Sequence, residues 1–370
     1  MAFLFNRSGR NKTPHELIKQ ALESSQYLES DPRKGAEEVA KIIAQLDVML
    51  FGEQDCEPNF QQQQQVYQEL LNSSLMVILV YKLDHLDFDC RKDVVAIFSQ
   101  LLHYKPSTID DYCPGISYVL NNRSMLARLI KGPSMPSIAL NCGTMLRECV
   151  KHEKLHKAVL DNPDWVWSLF TYARSPTFEI STDTFSTLRD LLLLHKPVVS
   201  KFLVDNQDKV FREFDTLMSS SSYLTKRQSV KLLSEIIIDR HNYTIMTAYI
   251  DDTERLKLIM NLLRDKSRNI QFEAFHVFKV FAANPKKTKP VLEILQKNRV
   301  RILQFLESFT IDRKNSQFED EKSFVIRKIQ QLPMPTSSAT PAHSSSRKAH
   351  PQHSSSHSVP DPSSVPVKYS

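Results

Sequence analysis

The sequence predicts an all-α fold: an armadillo/HEAT-like right-handed helical-repeat solenoid with a disordered C-terminal tail. Three observations carry that expectation. The 370 residues include only six glycines, too few for a turn-rich β protein. Apolar residues recur at three- and four-residue gaps, the buried stripe of an amphipathic helix. That stripe itself recurs at a longer period, as in stacked helical repeats.

Five copies are visible when one apolar anchor and its partner three residues on are followed along the chain: Phe98/Leu101, Leu146/Cys149, Leu188/Leu191, Leu233/Ile236 and Phe278/Phe281. First anchors are separated by 48, 42, 45 and 45 residues, within the range of two- or three-helix repeats. Three residues before each lies another apolar or small side chain: Val95, Gly143, Phe185, Val230 and Phe275. Four copies carry a second apolar, helix-like segment ahead of the anchor, at 76–80, 125–130, 165–172 and 256–263. Breaks follow at His103-Tyr104-Lys105-Pro106, His195-Lys196-Pro197 and Ala283-Asn284-Pro285, where proline disfavours helix in the residue before it.

Three segments are expected: a flexible N-terminus at 1–13, the repeat domain at 14–331 and a tail at 332–370. The tail is rich in Ser, Pro and His and holds too little apolar material to offset its ordering entropy. Gln61 to Gln65 reads as a loop or a helix start.

The longest apolar run, 75–81, falls far short of the ~20 residues a membrane helix needs. The N-terminus lacks the order of a signal peptide, and neither end offers a lipidation motif; the expected location is cytoplasmic, without membrane insertion. Five cysteines are odd in number and widely spaced, with no zinc or redox spacing, so they are expected reduced and mostly packed. A net charge of +6 arises from 48 basic and 42 acidic residues interleaved along the chain, which does not point to nucleic acid.

One enzymatic pattern stands out: His152-Glu153-Lys154-Leu155-His156 matches the H-E-x-x-H of zinc proteases, in which two His on one helix face hold the metal and the Glu acts as base. It follows an anchor helix, at an inter-helix junction, and the third ligand of the extended motif would fall at Asn162. Ordinary exposed histidines are the expectation, with no metal site, no cofactor and no catalytic residue. Phosphate-binding loops, a nucleophile elbow and calcium loops are also missing.

The richest polar and aromatic cluster runs from Tyr223 to Tyr243. Arg227 and Lys231 lie one turn apart on one face, and Arg240 and Tyr243 flank a turn. Arg and Tyr dominate binding hot spots, although a solvated helix face has the same composition. Phe272, Phe275, Phe278 and Phe281 fit a core stripe. Trp165 and Trp167, two residues apart, lie on different faces.

Three stretches carry a family resemblance: Tyr223-Leu-Thr-Lys-Arg-Gln-Ser-Val-Lys-Leu-Leu, Asp239-Arg-His-Asn-Tyr-Thr-Ile-Met and the run from Met260 to Phe281. With support from Ile138-Ala-Leu-Asn-Cys-Gly-Thr-Met-Leu-Arg-Glu-Cys and Lys92-Asp-Val, the chain resembles the calcium-binding-protein-39-like family, also called mouse protein twenty-five. The likeness covers roughly residues 1 to 330 and extends to a fungal, conidiophore-development (hymA-like) branch. It implies a non-catalytic scaffold, monomeric when free, that binds germinal-centre-type kinases or pseudokinases in signalling for cell polarity, at sites of polarised growth or division. It further implies two surfaces. Phe178, Tyr223, Arg227, Lys231, Arg240 and Tyr243 would form a concave kinase-binding wall, Tyr243 replacing a common Phe. Met260 and Lys297 would border a pocket for a Trp-Glu-Phe C-terminal motif. Calcium binding has no support in these residues.

Overall fold

In the computed structural model, the described residues are 12–53, 57–106, 112–310 and 316–333. All belong to the first of two units, Met1–Pro333. The segment expected to form the tail lies outside the described residues from 334 onward, as do residues 1–11 of the expected flexible N-terminus.

Helices account for the architecture, and no strand occurs among the described residues. Seven of them form one continuous layer: α1 (Pro32–Phe51), α2 (Phe88–His103), α3 (Ala139–Val150), α4 (Phe178–Leu193), α5 (Tyr223–Ile238), α6 (Arg268–Ala283) and α7 (Ser316–Gln330). Each packs on the next. The five anchor pairs sit on α2 to α6, all ten side chains buried; α1 and α7 extend the layer by one helix at each end. Several starts are set by local chemistry: the side chains of Asp31, Asp87, Ser222 and Ser267 accept backbone N–H groups of the first turns of α1, α2, α5 and α6, satisfying donors that have no partner within the helix.

A second layer lies beneath the first. Leu75–Tyr81, Ser124–Lys131, Pro163–Tyr172, Gln207–Met218, Thr253–Leu262 and Arg299–Ser308 each pack against the layer helix that follows. Four of these correspond to the apolar segments read from sequence. Gln207–Met218 completes the copy that had none: its stripe of Val210, Phe214 and Leu217 is buried, while interspersed Lys209, Arg212 and Asp215 obscured it. Gln61 to Gln65 belongs to the helix Phe60–Asn72, and Gln63 Nε2 donates to the Leu50 carbonyl at 2.8 Å, closing the end of α1.

The core runs the length of the stack. Phe275, Phe278 and Phe281 are fully buried on α6, as their spacing required. Of the five cysteines, Cys90, Cys113, Cys142 and Cys149 are buried and unpaired; Cys56 lies outside the described residues. Gly143 interrupts the apolar stripe of α3 for a local reason: a Cβ there would strike the Asp183 carboxylate, which pairs with Arg147 at 2.8 Å.

Candidate functional site

From α3 onward the helices of the first layer are joined by ion pairs. Arg147 of α3 reaches Asp183 of α4 at 2.8 Å, Arg189 of α4 reaches Glu235 of α5 at 3.1 Å, and Lys279 of α6 reaches Glu321 of α7 at 2.7 Å. Between α5 and α6, Arg227 approaches Glu273 only to 4.0 Å. Partners occupy similar heights on successive helices, so the helices run parallel and present one polar wall. Tyr223, on the first turn of α5, accepts a hydrogen bond at its hydroxyl from Asn269 Nδ2 on the first turn of α6 at 3.1 Å.

The α5–α6 step departs from the others. Arg227 Nε is buried with no hydrogen-bond partner among the described residues, while its side chain remains 39% exposed. Lys231, one turn on, forms no ion pair with a described residue and borders a small cavity between α4 and α5 with Phe185, Arg189 and Glu235. Under both cations lies Glu273, 8% exposed. Burial pushes its carboxyl above the ordinary range, and Lys231 and Arg227 pull it back. A buried carboxylate thus sits beside two cations, one of them 39% exposed. Sequence reasoning missed Glu273 because its partners are 42 and 46 residues away; only its place inside the phenylalanine stripe of α6 marked it as unusual.

The six residues assigned to the wall fall into two groups. Phe178 begins α4 and Tyr223 begins α5, both exposed on the same edge of the wall, with Arg227 and Lys231 following along α5. Arg240 and Tyr243 lie past the other end of α5, separated from Tyr223 by its 16 residues, about 24 Å of helix. Their turn is locked. Asp239 accepts from the His241 N–H at 2.9 Å and pairs with Lys196 at 2.7 Å, and Asn242 Nδ2 donates to the Ile236 carbonyl at 2.9 Å. Burial opposes ionisation of Asp239, but these donors hold its carboxyl down at about 2. Arg240 and the 68%-exposed Tyr243 ring therefore project from a rigid corner.

Met260 and Lys297 lie together. Both line a cavity of about 550 Å³, formed among Thr253–Leu262, Lys289–Lys297 and Arg299–Ser308. Its walls are apolar, with Leu263, Ile302 and Phe305, and no acidic side chain lines it; Arg264 and Arg301 add positive charge. The sequence reading had placed one cation here, Lys297; Lys257 lines the cavity as well, and with Arg264 and Arg301 it makes four.

The H-E-x-x-H match requires a correction. His156 is fully buried, not exposed, and its Nε2 engages the Leu191 carbonyl at 2.7 Å. His152 precedes the helix Glu153–Leu160 as its cap, so the two imidazoles do not share a helical face. Glu153 is exposed and lies 3.9 Å from His195. No group of three metal-ligating side chains occurs among the described residues. Protein purified without a histidine tag is expected to contain far less than one zinc per chain by elemental analysis; stoichiometric zinc lost on His156→Ala would reverse this reading.

Two stacked layers of helices with a polar wall and a terminal cavity define a helical-repeat solenoid protein. By sequence the chain belongs to the Mo25-like family, whose model matches residues 3–333. It is 45% identical over 333 residues to the "Calcium-binding protein 39-like" protein of Mus musculus, covering 89% of this chain and 97% of that one. It is 39% identical to the "Mo25-like protein" of Schizosaccharomyces pombe, covering 90% and 100%. It is 38% identical to the "Conidiophore development protein hymA" of Emericella nidulans, covering 90% and 94%. Among solved structures, an engineered protein aligns with a TM-score of 0.49 at 14% identity, over 86% of this chain and 72% of that one. No helix among the described residues is long and apolar enough to cross a membrane.

Proposed function

We propose that the chain is a non-catalytic, cytoplasmic scaffold whose wall holds a germinal-centre-type kinase or pseudokinase and whose cavity takes that partner's Trp-Glu-Phe tail. The observation that carries this reading is the open step in the ion ladder. Three other steps pair a cation with a carboxylate of the next layer helix at 2.7 to 3.1 Å, whereas Arg227 stands 4.0 Å from Glu273 and Lys231 forms no ion pair with a described residue, beside exposed Tyr223 and Phe178. A rigid cationic and aromatic surface suits a hot spot. The cavity matches the second half of the reading: its volume lies in the usual range for ligand sites, apolar walls suit aromatic rings, and Lys297, Arg264 and Arg301 suit carboxylates. Mechanistically, a scaffold that binds only the closed form of a kinase raises that form's population by its differential affinity. No nucleophile is required. The family's polarity and morphogenesis role, at sites of polarised growth, follows as the biological setting.

Titration of the full chain against an isolated germinal-centre kinase domain and against a Trp-Glu-Phe peptide tests the two surfaces separately. Arg240→Ala/Tyr243→Ala is expected to weaken the kinase domain by one to three orders of magnitude, at about 1.4 kcal/mol per decade, and to leave the peptide unchanged. Met260→Ala is expected to do the reverse. Equal impairment of both ligands by each variant, with unchanged helix content, would replace two surfaces with one.

A further inference from the structure

Four histidines meet where the second, third and fourth layer helices end. The rings of His103 and His152 are 5.3 Å apart, and those of His156 and His195 are 5.0 Å apart. Two of them, His156 and His195, close helix ends across repeats, and His103 bonds within its own helix. His103 Nδ1 donates to the Ser99 carbonyl at 2.8 Å in α2, and His156 Nε2 to the Leu191 carbonyl at 2.7 Å in α4. His195 Nε2 lies 3.1 and 3.0 Å from the Val150 and Lys151 carbonyls at the end of α3. The carbonyls that His156 and His195 meet are among those at helix ends that have no partner within their own helix. His195 reaches them from the left-handed region, φ 43° and ψ 55°, a conformation that costs a non-glycine residue energy. The junction therefore depends on imidazoles in one tautomer. The nitrogens left over on the inner rings, His152 Nε2 and His156 Nδ1, are buried and without a hydrogen-bond partner among the described residues.

We propose that this four-histidine junction is an acid-sensitive hinge, in which proton uptake by the inner rings loosens α3 from α4 and lets the two halves of the stack move relative to each other. A proton on His156 Nδ1 would place a charge and an unsatisfied donor in a fully buried site. Burial accordingly pushes His156 from the ordinary 6.5 to about 4, against the hydrogen bond to Leu191 and with His195 adding repulsion; burial, His103, His195 and Lys151 lower His152, against Glu148. Nearby carboxylates offset it only in part: Glu148 acts on His152 but pairs with Lys151, Asp190 faces Arg147, Arg189 and Lys151, and Glu153 faces His195. The other helices packed on this segment bring Tyr118, Asp164, Tyr172, Lys196, Lys201 and Asp205. Tyr118 is bound to the Ser73 carbonyl, Lys196 to Asp239 and Lys201 to Asp205; Asp164 is exposed and Tyr172 partly buried. Because the folded pKa lies below the unfolded one, the junction's contribution is complete above the unfolded value and is lost as pH falls from there towards about 4. Each such ring raises the opening constant by up to about tenfold per pH unit across that window.

Native-state hydrogen exchange on the full chain at neutral pH and about two units below, corrected for intrinsic exchange, tests this. The expected result is at least about a tenfold loss of protection at acid pH across 139–160 and 196–205, with 268–283 protected as before. In His152→Gln/His156→Gln that local loss disappears. A loss spread evenly over all layer helices, or an equal local loss in the variant, overturns the proposal. If circular dichroism shows the double variant unfolded at neutral pH, His152→Gln alone replaces it, since His152 Nε2 makes no hydrogen bond. A reduced local loss then supports the hinge and an unchanged one rejects it.

Discussion

Replacing both Arg227 and Lys231 with alanine is expected to lower the stability of the free protein by about 2–3 kcal/mol, in addition to any loss of binding. Neither side chain belongs to the apolar core, so composition alone predicts a harmless surface change. The cost comes from Glu273, which is left buried with its two counter-charges gone. The estimate sits at or below the usual penalty for breaking a buried pair, because Arg227 is partly exposed and 4.0 Å away. Urea titrations of the double variant, of Glu273→Gln and of the triple variant close the cycle. The triple variant should recover most of the loss. The pH dependence has a definite sign: burial has raised the Glu273 carboxyl, so its neutral form is the better tolerated one. The double variant's deficit should therefore shrink as pH falls from neutral towards the ordinary carboxylate range. A constant deficit across that range, or no recovery in the triple variant, would remove Glu273 from the explanation. Binding data on Arg227 and Lys231 variants should accordingly be read alongside their stability.

Gly115→Ala is expected to cost about 3 kcal/mol or more. Gly115 opens the helix Pro114–Asn121, which crosses the end of α2 so closely that a Cβ would lie 2.7 Å from the Leu101 carbonyl carbon and closer still to its oxygen. Both atoms are backbone, and no rotamer change relieves the overlap; the two helices must separate along their buried contact. A urea midpoint shift of that size with an unchanged slope would bear this out. A cost under about 1 kcal/mol would mean the helices can slide apart freely.

The two cases show how differently parts of this molecule could be read in advance. The anchors on α2 to α6 were legible because burial imposes a period of three to four residues on each helix, a local signal that survives without knowledge of neighbours. For the same reason Phe275, Phe278 and Phe281 were correctly placed in the core. The second-layer helix Gln207–Met218 is hidden where charges alternate with its stripe. His156 was misread as exposed, since a lone polar residue in a short helix carries no sign of whether a carbonyl awaits it.

What the sequence determined by itself is a stack of amphipathic helices, its copy number to within the two end helices, and a concentration of Arg, Lys and Tyr on and just beyond one helix. Only the tertiary structure decided which charges meet. Arg147–Asp183, Arg189–Glu235, Arg227–Glu273 and Lys279–Glu321 span 36 to 46 residues, and a shift of one turn between parallel helices would exchange every partner. The cavity holding Met260 and Lys297 likewise draws on three helices, and the histidine junction on the ends of α2, α3 and α4. Helix formation is written in near-neighbour spacing, whereas the open step at Arg227 depends on the relative height of α5 and α6, which their packed side chains set and no local pattern encodes.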